Sequence, residues 1–315
     1  MKTTSPSPIS GSNAEKAQDA SGREDHTVGN PQSGYAIPKV AILGGYGTFH
    51  EIAAQFYFDN DQIDILPSGT FSELFRSLSE KEADYGITAI ENSVAGSILP
   101  NYTLLQEASL PIVGEIYLRI SQNLLALPGQ RLEDLTEVYS HPMAILQCRP
   151  FFEKYPHIKL IDAADTATSA RDLSLNNRKG VGAIASIRAA EKYNLNVLQR
   201  NIESNKKNYT RFLILRDLNG SGYQNPASEK ASVHFALAHA IGSLAKVLSI
   251  ISYFDINLSK IQSLPIPGKD WEYMFYADLE YKEYQRYRQA IDTIQPFVKD
   301  FKILGEYRKG KVVSE

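Results

Sequence analysis

The sequence predicts an α/β protein with two lobes and a cleft between them, followed by a smaller α+β unit with a ferredoxin-like βαββαβ order. From residue 38 to 218, short apolar runs alternate with amphipathic stretches, as in βαβ units on a parallel sheet. Between Ile112 and Leu127 the pattern gives two extended stretches without a helix, which would carry the chain into the second lobe. A polar linker at 219–229 precedes the smaller unit, at 230–310.

The first lobe shows the strand and helix alternation most clearly. The apolar run 40–43 predicts a strand, and Thr48-Phe49-His50-Glu51 is a capping box that starts a helix. The run 63–66 and the capping box Thr70-Phe71-Ser72-Glu73 repeat the scheme, and 85–90 predicts a third buried strand. Consecutive strands joined by capped helices favour a parallel sheet.

The second lobe repeats this alternation. A strand ends at Ser140, and Pro142 suits the first turn of the next helix. The runs 158–161 and 181–185 predict strands before helices that begin near Thr166 and Ser186. In open α/β sheets, ligands bind beyond the carboxyl ends of the strands, so the cleft is the expected site.

The C-terminal unit is predicted to contain four strands and two helices. The strands are 233–237, 256–263, 271–281 and 302–307, and the helices are 243–254 and 283–293. This order is that of a ferredoxin-like sandwich.

Composition narrows the class of function. The chain has 315 residues and a formal net charge of −3, which argues against a nucleic-acid-binding protein. No apolar run approaches the length of a membrane helix. The single cysteine, Cys148, excludes an internal disulfide and favours a cytoplasmic setting, where we expect it to be a structural thiol in a helix.

Residues 1–37 form a distinct N-terminal segment. They are rich in Ser, Gly, Pro and charged residues, with few large apolar side chains and no apolar signal region. Such a segment buries too little apolar surface to offset its ordering entropy, so we predict a disordered tail.

Polar residues cluster where the predicted strands end: Glu91-Asn92-Ser93, Ser140-His141, Asp165-Thr166 and Thr210-Arg211. Hydroxyls and amides dominate, and the sequence shows no metal-ligand spacing, dinucleotide fingerprint or Walker motif. The pattern predicts a site that needs no cofactor or metal and binds an anion by hydrogen bonds.

Each of these residues also has a structural interpretation. Thr48 and Thr70 suit helix N-caps, and Ser140 and Thr166 are caps or ligands with equal justification. His141 is interpretable as a hydrogen-bonded structural histidine. Lys206, Lys207 and Arg211 are equally interpretable as a solvated rim. Pattern alone leaves these alternatives open.

Taken together, these strings resemble the prephenate dehydratase family. The segment from Gly44 to Phe49 is similar to the family's glycine-threonine-phenylalanine opening. The other matching strings are Glu91-Asn92-Ser93 with Gly96-Ser97, Ser140-His141-Pro142 with Gln147-Cys148, Asp165-Thr166-Ala167, and Thr210-Arg211-Phe212 after Asn208-Tyr209. The βαββαβ unit resembles the family's ACT regulatory domain. The resemblance covers roughly residues 38–308 in the family's order.

The resemblance implies conversion of prephenate to phenylpyruvate, carbon dioxide and water in phenylalanine biosynthesis. It also implies a catalytic domain similar to the type 2 periplasmic-binding-protein fold. The implied catalytic residues are Thr210, Arg211, Glu91 and His141, with Thr210 at the departing hydroxyl, Arg211 as a carboxylate clamp, and Glu91 or His141 as supporting acids. The implied substrate-binding residues are Asn92, Ser93, Gly96, Ser140, Thr166, Phe212 and Thr48.

The resemblance further implies feedback control by L-phenylalanine and a homodimer or homotetramer. The implied effector residues are Gly242, Ser243, Leu244, Gln262 and Ser263. Here Gln262-Ser263-Leu264-Pro265 stands where the family has Glu-Ser-Arg-Pro, which removes an ion-pair option. His50 stands where a serine is usual, a change expected to affect local packing more than chemistry.

Two other functions fit the same patterns. An arogenate dehydratase differs only in an amino group that replaces the keto group of the substrate side chain. A non-catalytic solute-binding or amino-acid-sensing protein is the alternative from another class.

Overall fold

The elements follow the predicted alternation of strand and helix. A computed structural model describes residues 37–59, 62–218, 224–266, 268–269 and 272–315. The first lobe contains β1 Lys39–Leu43, α1 Phe49–Tyr57, β2 Asp64–Ser68, α2 Phe71–Ser79, β3 Tyr85–Asn92, β4 Gly96–Ser97, α3 Leu99–Ala108 and β5 Ile112–Arg119. The second lobe contains β6 Asn123–Ala126, β7 Glu137–Ser140, α4 Pro142–Phe152, β8 Lys159–Asp162, α5 Thr166–Leu175, β9 Val181–Ala185, α6 Ile187–Lys192 and β10 Asn196–Gln199.

The chain then returns to the first lobe through β11 and continues into the C-terminal unit. These elements are β11 Tyr209–Leu215, β12 Lys230–Ala236, α7 Ser243–Tyr253, β13 Asn257–Pro265, β14 Tyr273–Glu280, α8 Tyr284–Ile294, β15 Lys299–Tyr307 and β16 Lys311–Val313. The predicted tail 1–37 lies outside the described residues except for Ile37, as do residues 219–223 of the predicted linker.

Both predicted N-caps are present, but each glutamate bonds the backbone N–H before the cap residue rather than that of the cap itself. The Thr48 hydroxyl accepts from Glu51 N at 3.2 Å, and Gly47 N donates to the Glu51 carboxylate at 2.5 Å. Thr70 accepts from Glu73 N in the same way, with Gly69 N donating to the Glu73 carboxylate, and each such N-cap stabilises its helix by about 1 kcal/mol. The caps fix the first turns of α1 and α2 at the carboxyl ends of β1 and β2.

The first sheet is mixed rather than purely parallel as predicted. Its order is β16-β5-β11-β3-β1-β2, with β4 also paired to β3. β1 runs parallel to β2 and β3, whereas β11 runs antiparallel to β3 and β5 because it is the strand on which the chain returns from the second lobe. The edge strand β16 comes from the end of the chain and was not predicted.

The second sheet has the order β10-β6-β9-β7-β8. The strands β9, β7 and β8 are parallel as predicted, while β6 runs antiparallel to both of its neighbours, β9 and β10. The helices α4, α5 and α6 each begin directly after the parallel strands β7, β8 and β9. The carboxyl ends of these strands therefore carry helix N-termini.

The C-terminal unit has the predicted βαββαβ order, with the antiparallel sheet β13-β14-β12-β15. One face of this sheet packs on α7 and α8. The other face packs on α2, α3 and the back of the first sheet through Met274, Tyr276, Leu304 and Tyr307. A Cβ at Gly305 would lie 2.1 Å from the Ile112 carbonyl oxygen, so this contact requires glycine. Residues 37–315 form one compact unit.

Among the described residues, none of the helices combines the length and the apolar character needed to cross a membrane.

Candidate active site

A cleft of about 520 Å³ lies between the two lobes. The first lobe contributes side chains from β3, β11 and the starts of α1 and α2, and the second lobe contributes residues at the starts of α4 and α5. The polar residues that line the cleft are Thr48, His50, Asn92, Gln122, His141, Gln147, Asp165, Thr166 and Thr210. The cleft thus lies where the strand ends of both lobes meet, as predicted.

Asn92 and Thr210 form a direct pair on the cleft face of the first sheet. They face each other across β3 and β11, and Asn92 Nδ2 donates to the Thr210 hydroxyl oxygen at 3.0 Å. The side-chain oxygen Oδ1 of Asn92 accepts from Val94 N and Ala95 N, which fixes the orientation of the carboxamide. Thr210 is 8% exposed, and its O–H donates to no acceptor among the described residues. That proton is therefore free for a ligand in the cleft.

A chain of amides connects this pair to the second lobe. Asn92 Nδ2 also donates to Asn208 Oδ1 at 2.7 Å, and Asn208 Nδ2 donates to Gln147 Oε1 on α4 at 2.9 Å. Asn208 is fully buried. Both residues belong to matched family strings, but the sequence alone did not identify them as supports of Thr210.

The cleft has no Lys or Arg among its described lining residues. Helix N-termini line it instead, and there the helix dipole is positive because the first backbone N–H groups have no intrahelical acceptor. The starts of α1, α2, α4 and α5 all line the cleft. This arrangement suits an anion held by backbone amides.

Thr48, Asp165 and His141 are helix N-caps as well as lining residues. Thr48 caps α1, and the Asp165 carboxylate accepts from the backbone N–H and hydroxyl of Thr168 on α5. His141 caps α4, with Nδ1 accepting from Met143 N at 3.2 Å. Nδ1 is therefore the acceptor nitrogen, which leaves the Nε2 proton of the exposed His141 ring available. Thr166 begins α5 and also lines the cleft.

His50 lines the cleft in addition to packing against neighbouring rings. Its Nε2 accepts from Ala89 N at 3.4 Å, and its ring packs edge-on against Phe212, with centroids 4.9 Å apart. Phe71 packs on it at 5.8 Å. Burial lowers the pKa of His50 to about 3, so the imidazole is neutral.

The prediction that Arg211 clamps a substrate carboxylate requires correction. Side chains alternate along a strand, so Arg211 leaves the face opposite to Thr210 and Phe212. Its guanidinium is buried against the C-terminal unit, donating to Glu115 at 2.7 Å, to Asp278, and to the Tyr307 hydroxyl at 3.0 Å. All three guanidinium nitrogens therefore have acceptors within the protein. Arg211 thus holds the C-terminal unit on the first sheet.

Glu91 is likewise on the back face and does not act in the cleft. A register shift places Phe212 opposite Ala89 and Arg211 opposite Glu91, so that Ile90 is the extra residue in β3. The Glu91 carboxylate accepts from Lys260 of β13 at 2.6 Å. The prediction of Glu91 as a supporting acid is therefore corrected to an ion pair with the C-terminal unit.

Three predicted substrate ligands have structural partners instead. Ser140 is fully buried, and its hydroxyl donates to the Ile184 carbonyl at 2.7 Å. Ser93 accepts from Tyr209 N and donates to the Lys207 carbonyl, which joins the end of β3 to the start of β11. Gly96 pairs with Asn92 in β4 at a φ of 85° and is not a lining residue.

The predicted effector residues lie in two segments of the C-terminal unit. Gly242, with a φ of 80°, is the N-cap of α7, and Ser243 and Leu244 begin that helix. Gln262 and Ser263 lie in the edge strand β13, where Gln262 Nε2 donates to the Ser263 carbonyl at 2.9 Å. Their role in effector binding stays a prediction.

Cys148 is buried in α4, and burial raises the pKa of its thiol. The described residues contain no group of three His, Cys, Asp or Glu side chains placed to hold a metal ion.

Comparison with known proteins identifies the family. A family model described as prephenate dehydratase matches residues 40–219. A bifunctional chorismate mutase/prephenate dehydratase of Aquifex aeolicus is 37% identical over 278 residues, covering 86% of this chain and 74% of that protein. The solved structure of GqqA, described as a novel type of quorum quenching acylase, has a TM-score of 0.79 at 28% identity and covers 86% of this chain and 98% of its own. A prephenate dehydratase from Arthrobacter aurescens in complex with L-Phe has a TM-score of 0.77 at 26% identity, covering 86% of this chain and 90% of its own. The chain belongs to the prephenate dehydratase family.

Proposed function

We propose that this chain converts prephenate to phenylpyruvate, carbon dioxide and water, with Thr210 as the residue that contacts the departing 4-hydroxyl. The observation that best supports the assignment is the Asn92 to Thr210 hydrogen bond of 3.0 Å, which leaves the Thr210 proton unassigned in the cleft. A donor that polarises a hydroxyl oxygen strengthens the hydrogen bond given by the same hydroxyl.

The reaction requires one proton and no redox partner. The bond between the ring and its carboxylate breaks, and its electron pair completes the aromatic ring. The carbon–oxygen bond at C4 breaks at the opposite end of the ring, and the oxygen leaves with its pair as hydroxide unless a donor supplies a proton. A strong hydrogen bond at this oxygen therefore lowers the barrier.

Thr210 alone is too weak an acid to supply that proton. His141 is the other member of the predicted pair of supporting acids and, unlike Glu91, lies in the cleft. Because Nδ1 accepts from Met143 N, the ring donates through Nε2–H. We assign Thr210 and His141 the role of hydrogen-bond donors to the departing oxygen, and the proton that completes the leaving water comes from solvent.

Two carboxylates of prephenate need partners in a cleft without a described cationic side chain. The open N–H groups at the starts of α1 and α5, near Thr48 and Thr166, supply them. Phe212 also lines the cleft and provides an apolar contact for the substrate ring. Enclosure between the lobes leaves the ring carboxylate less well solvated than in water, which favours its loss.

The C-terminal unit is proposed to be an ACT regulatory domain that binds L-phenylalanine. Its βαββαβ topology supports this role, as does the structurally similar Arthrobacter protein in complex with L-Phe. Gly242 leaves the start of α7 without a side-chain cap, so backbone N–H groups there are open to a carboxylate. A homo-oligomer, a cytoplasmic location and a type 2 periplasmic-binding-protein fold for the two lobes belong to the same proposal.

The direct test is phenylpyruvate absorbance after the purified chain is mixed with prephenate, without added metal or nucleotide and with or without L-phenylalanine. Product that scales with the amount of protein supports the assignment. Arogenate in parallel distinguishes the alternative dehydratase. Prephenate that binds but is not converted would favour a non-catalytic sensor.

A further inference from the structure

His50 is a polar group of the cleft that the proposed chemistry does not use. It is the second residue of α1, and α1 covers the same face of the first sheet that presents Thr210. The ring is held on two sides, by Ala89 N at 3.4 Å and by the Phe212 ring with centroids 4.9 Å apart. Its position is therefore fixed before any ligand enters.

The hydrogen bond from Ala89 determines the tautomer. A neutral imidazole has one acceptor and one donor nitrogen, and an Nε2 that accepts from a backbone N–H leaves the proton on Nδ1. Burial, which lowers the pKa of His50 to about 3, keeps the ring neutral at physiological pH. Among the described residues, Nδ1–H has no acceptor. It is a fixed, uncharged donor on the cleft wall.

The strand register places this donor away from the departing hydroxyl. Thr210 pairs with Asn92, whereas His50 sits on Ala89, three residues earlier in β3. On β11 the facing residues Phe212 and Thr210 are only two residues apart because Ile90 is a bulge, and two residues span about 7 Å, close to the distance from the 4-hydroxyl to the side-chain keto oxygen of the substrate. With the 4-hydroxyl at Thr210, the C1 end lies towards His50.

We propose that His50 is a specificity-determining residue that donates from Nδ1–H to the side-chain keto oxygen of the substrate and so selects the keto acid over the corresponding amino acid. This inference rests on the proposed function. A keto oxygen accepts a hydrogen bond, whereas an ammonium group at the same carbon has no lone pair and would place its own donors against this one. Such a site discriminates between the keto and the ammonium group without a charged side chain of its own.

Three variants distinguish the Nδ1–H donor of His50 from its Nε2 acceptor and from the packing of its ring against Phe212. His50→Phe keeps the ring contact with Phe212 and removes both nitrogens. His50→Asn places an amide near the position of Nδ1, and His50→Gln places one near the position of Nε2. We expect His50→Phe and His50→Gln to lower the ratio of kcat/KM for prephenate to that for arogenate about tenfold, the loss of one hydrogen bond, while His50→Asn keeps the ratio within about threefold.

Equal losses on both substrates in His50→Phe would overturn the proposal, because the donor would then serve a group that the two substrates share. A wild-type chain that prefers arogenate would also overturn it. Failure of the proposed function is distinct, since the wild type would then convert neither substrate. Thermal denaturation of each variant shows whether a changed ratio comes from an altered fold.

The tautomer provides an independent readout. Protein labelled with ¹⁵N-histidine gives one set of ring resonances that disappears in His50→Phe and identifies His50. The proposal predicts the Nδ1–H tautomer at neutral pH, and an Nε2–H tautomer or a protonated ring at pH 7 would contradict it.

Discussion

Thr210 and Arg211 are neighbours in β11 whose side chains leave opposite faces of the sheet. Thr210 enters the cleft and accepts from Asn92, while Arg211 is 5% exposed and is held by Glu115, Asp278 and Tyr307. One strand therefore presents the Thr210 hydroxyl to the cleft on its front and anchors the C-terminal unit on its back.

Substitutions at Thr210 test the role of its hydroxyl. Thr210→Ser keeps the hydroxyl and the contact with Asn92, so we expect kcat within about tenfold of the wild type. Thr210→Ala removes the donor at the departing oxygen, and we expect kcat to fall by about 10²- to 10⁴-fold with little change in melting temperature. Steady-state kinetics on prephenate measures both, and near wild-type kcat for Thr210→Ala would refute the assignment.

The neutral His50 gives the protein a pH-dependent stability. Because burial lowers its pKa from 6.5 to about 3, the unfolded chain binds more protons between these pH values. The free energy of unfolding then falls as the pH decreases below about 6.5. From pH 6.5 to 4.5 the wild type should lose about 2 kcal/mol more than His50→Phe, measured by urea denaturation. Parallel losses in the two proteins would mean that His50 is charged in the folded state.

At the scale of elements, β3 and β11 connect the cleft to the C-terminal unit. The extra residue Ile90 in β3 lets Ala89 and Asn92 face the cleft while Glu91 reaches Lys260. Arg211 binds Asp278 of β14 directly behind Thr210, and Lys230 of β12 binds the same Glu115 at 3.0 Å. A buried ionic network thus holds the back of β3 and β11.

The substitution Asp278→Asn tests this network. Burial opposes ionisation of Asp278, but Arg211 and Lys230 outweigh it, and the pKa of this carboxyl lies below its usual value. Its stabilising contribution is therefore present above the unfolded-state pKa of about 4 and is lost as the pH falls through the lower folded-state pKa. We expect Asp278→Asn to cost about 3 kcal/mol at pH 7, because Arg211 keeps its buried charge with one partner fewer.

Denaturant unfolding at a series of pH values measures both the stability cost of Asp278→Asn and its dependence on pH. The difference between the wild type and Asp278→Asn should shrink below about pH 4, where the wild-type carboxyl is also protonated. Ser232→Ala, which removes a neutral hydroxyl bonded to the same carboxylate, is the matched control and should cost only about 1 kcal/mol. Equal costs for the two variants would contradict a charge-based network.

The sequence predicted the elements better than the side-chain directions. The N-caps Thr48 and Thr70, the alternation of strand and helix and the βαββαβ order depend on local patterns that need no knowledge of neighbours. Arg211 and Glu91 were misplaced because their partners Asp278 and Lys260 lie 67 and 169 residues away, so the sequence does not show which groups they bind. Strict alternation from Thr210 would have placed Arg211 behind the sheet, whereas the shift at Ile90 is not visible in sequence.

At the scale of the whole molecule, the C-terminal unit covers the back of the first sheet. Tyr276 and Tyr307 pack on the first lobe, and β16 adds a strand to its edge beside β5. Gly310 N donates to Glu115, which also binds Arg211 and Lys230. The structure therefore predicts that the two parts unfold together.

Removal of the C-terminal unit should expose this interface. A chain that ends at Leu218 would leave Arg211 and Glu115 without Asp278 and Lys230, beside the apolar back of the first sheet. We expect it to bind a hydrophobic dye and to lack a cooperative thermal transition, since uncompensated buried charge and exposed apolar surface both destabilise it. A truncated chain with the melting temperature and kcat of the full chain would show that the interface is dispensable.

Measurements of kcat and KM with prephenate, together with the melting temperature, for Thr210→Ala and Arg211→Lys test whether Thr210 serves the reaction while Arg211 serves stability. We expect Thr210→Ala to lose turnover and keep its stability. Arg211→Lys should melt roughly 5 °C lower, because it loses the multiple bonds of the guanidinium, yet keep kcat and KM within about threefold while folded. An Arg211→Lys protein of wild-type stability with a greatly raised KM would contradict the account, because the guanidinium would then bind the substrate in the cleft.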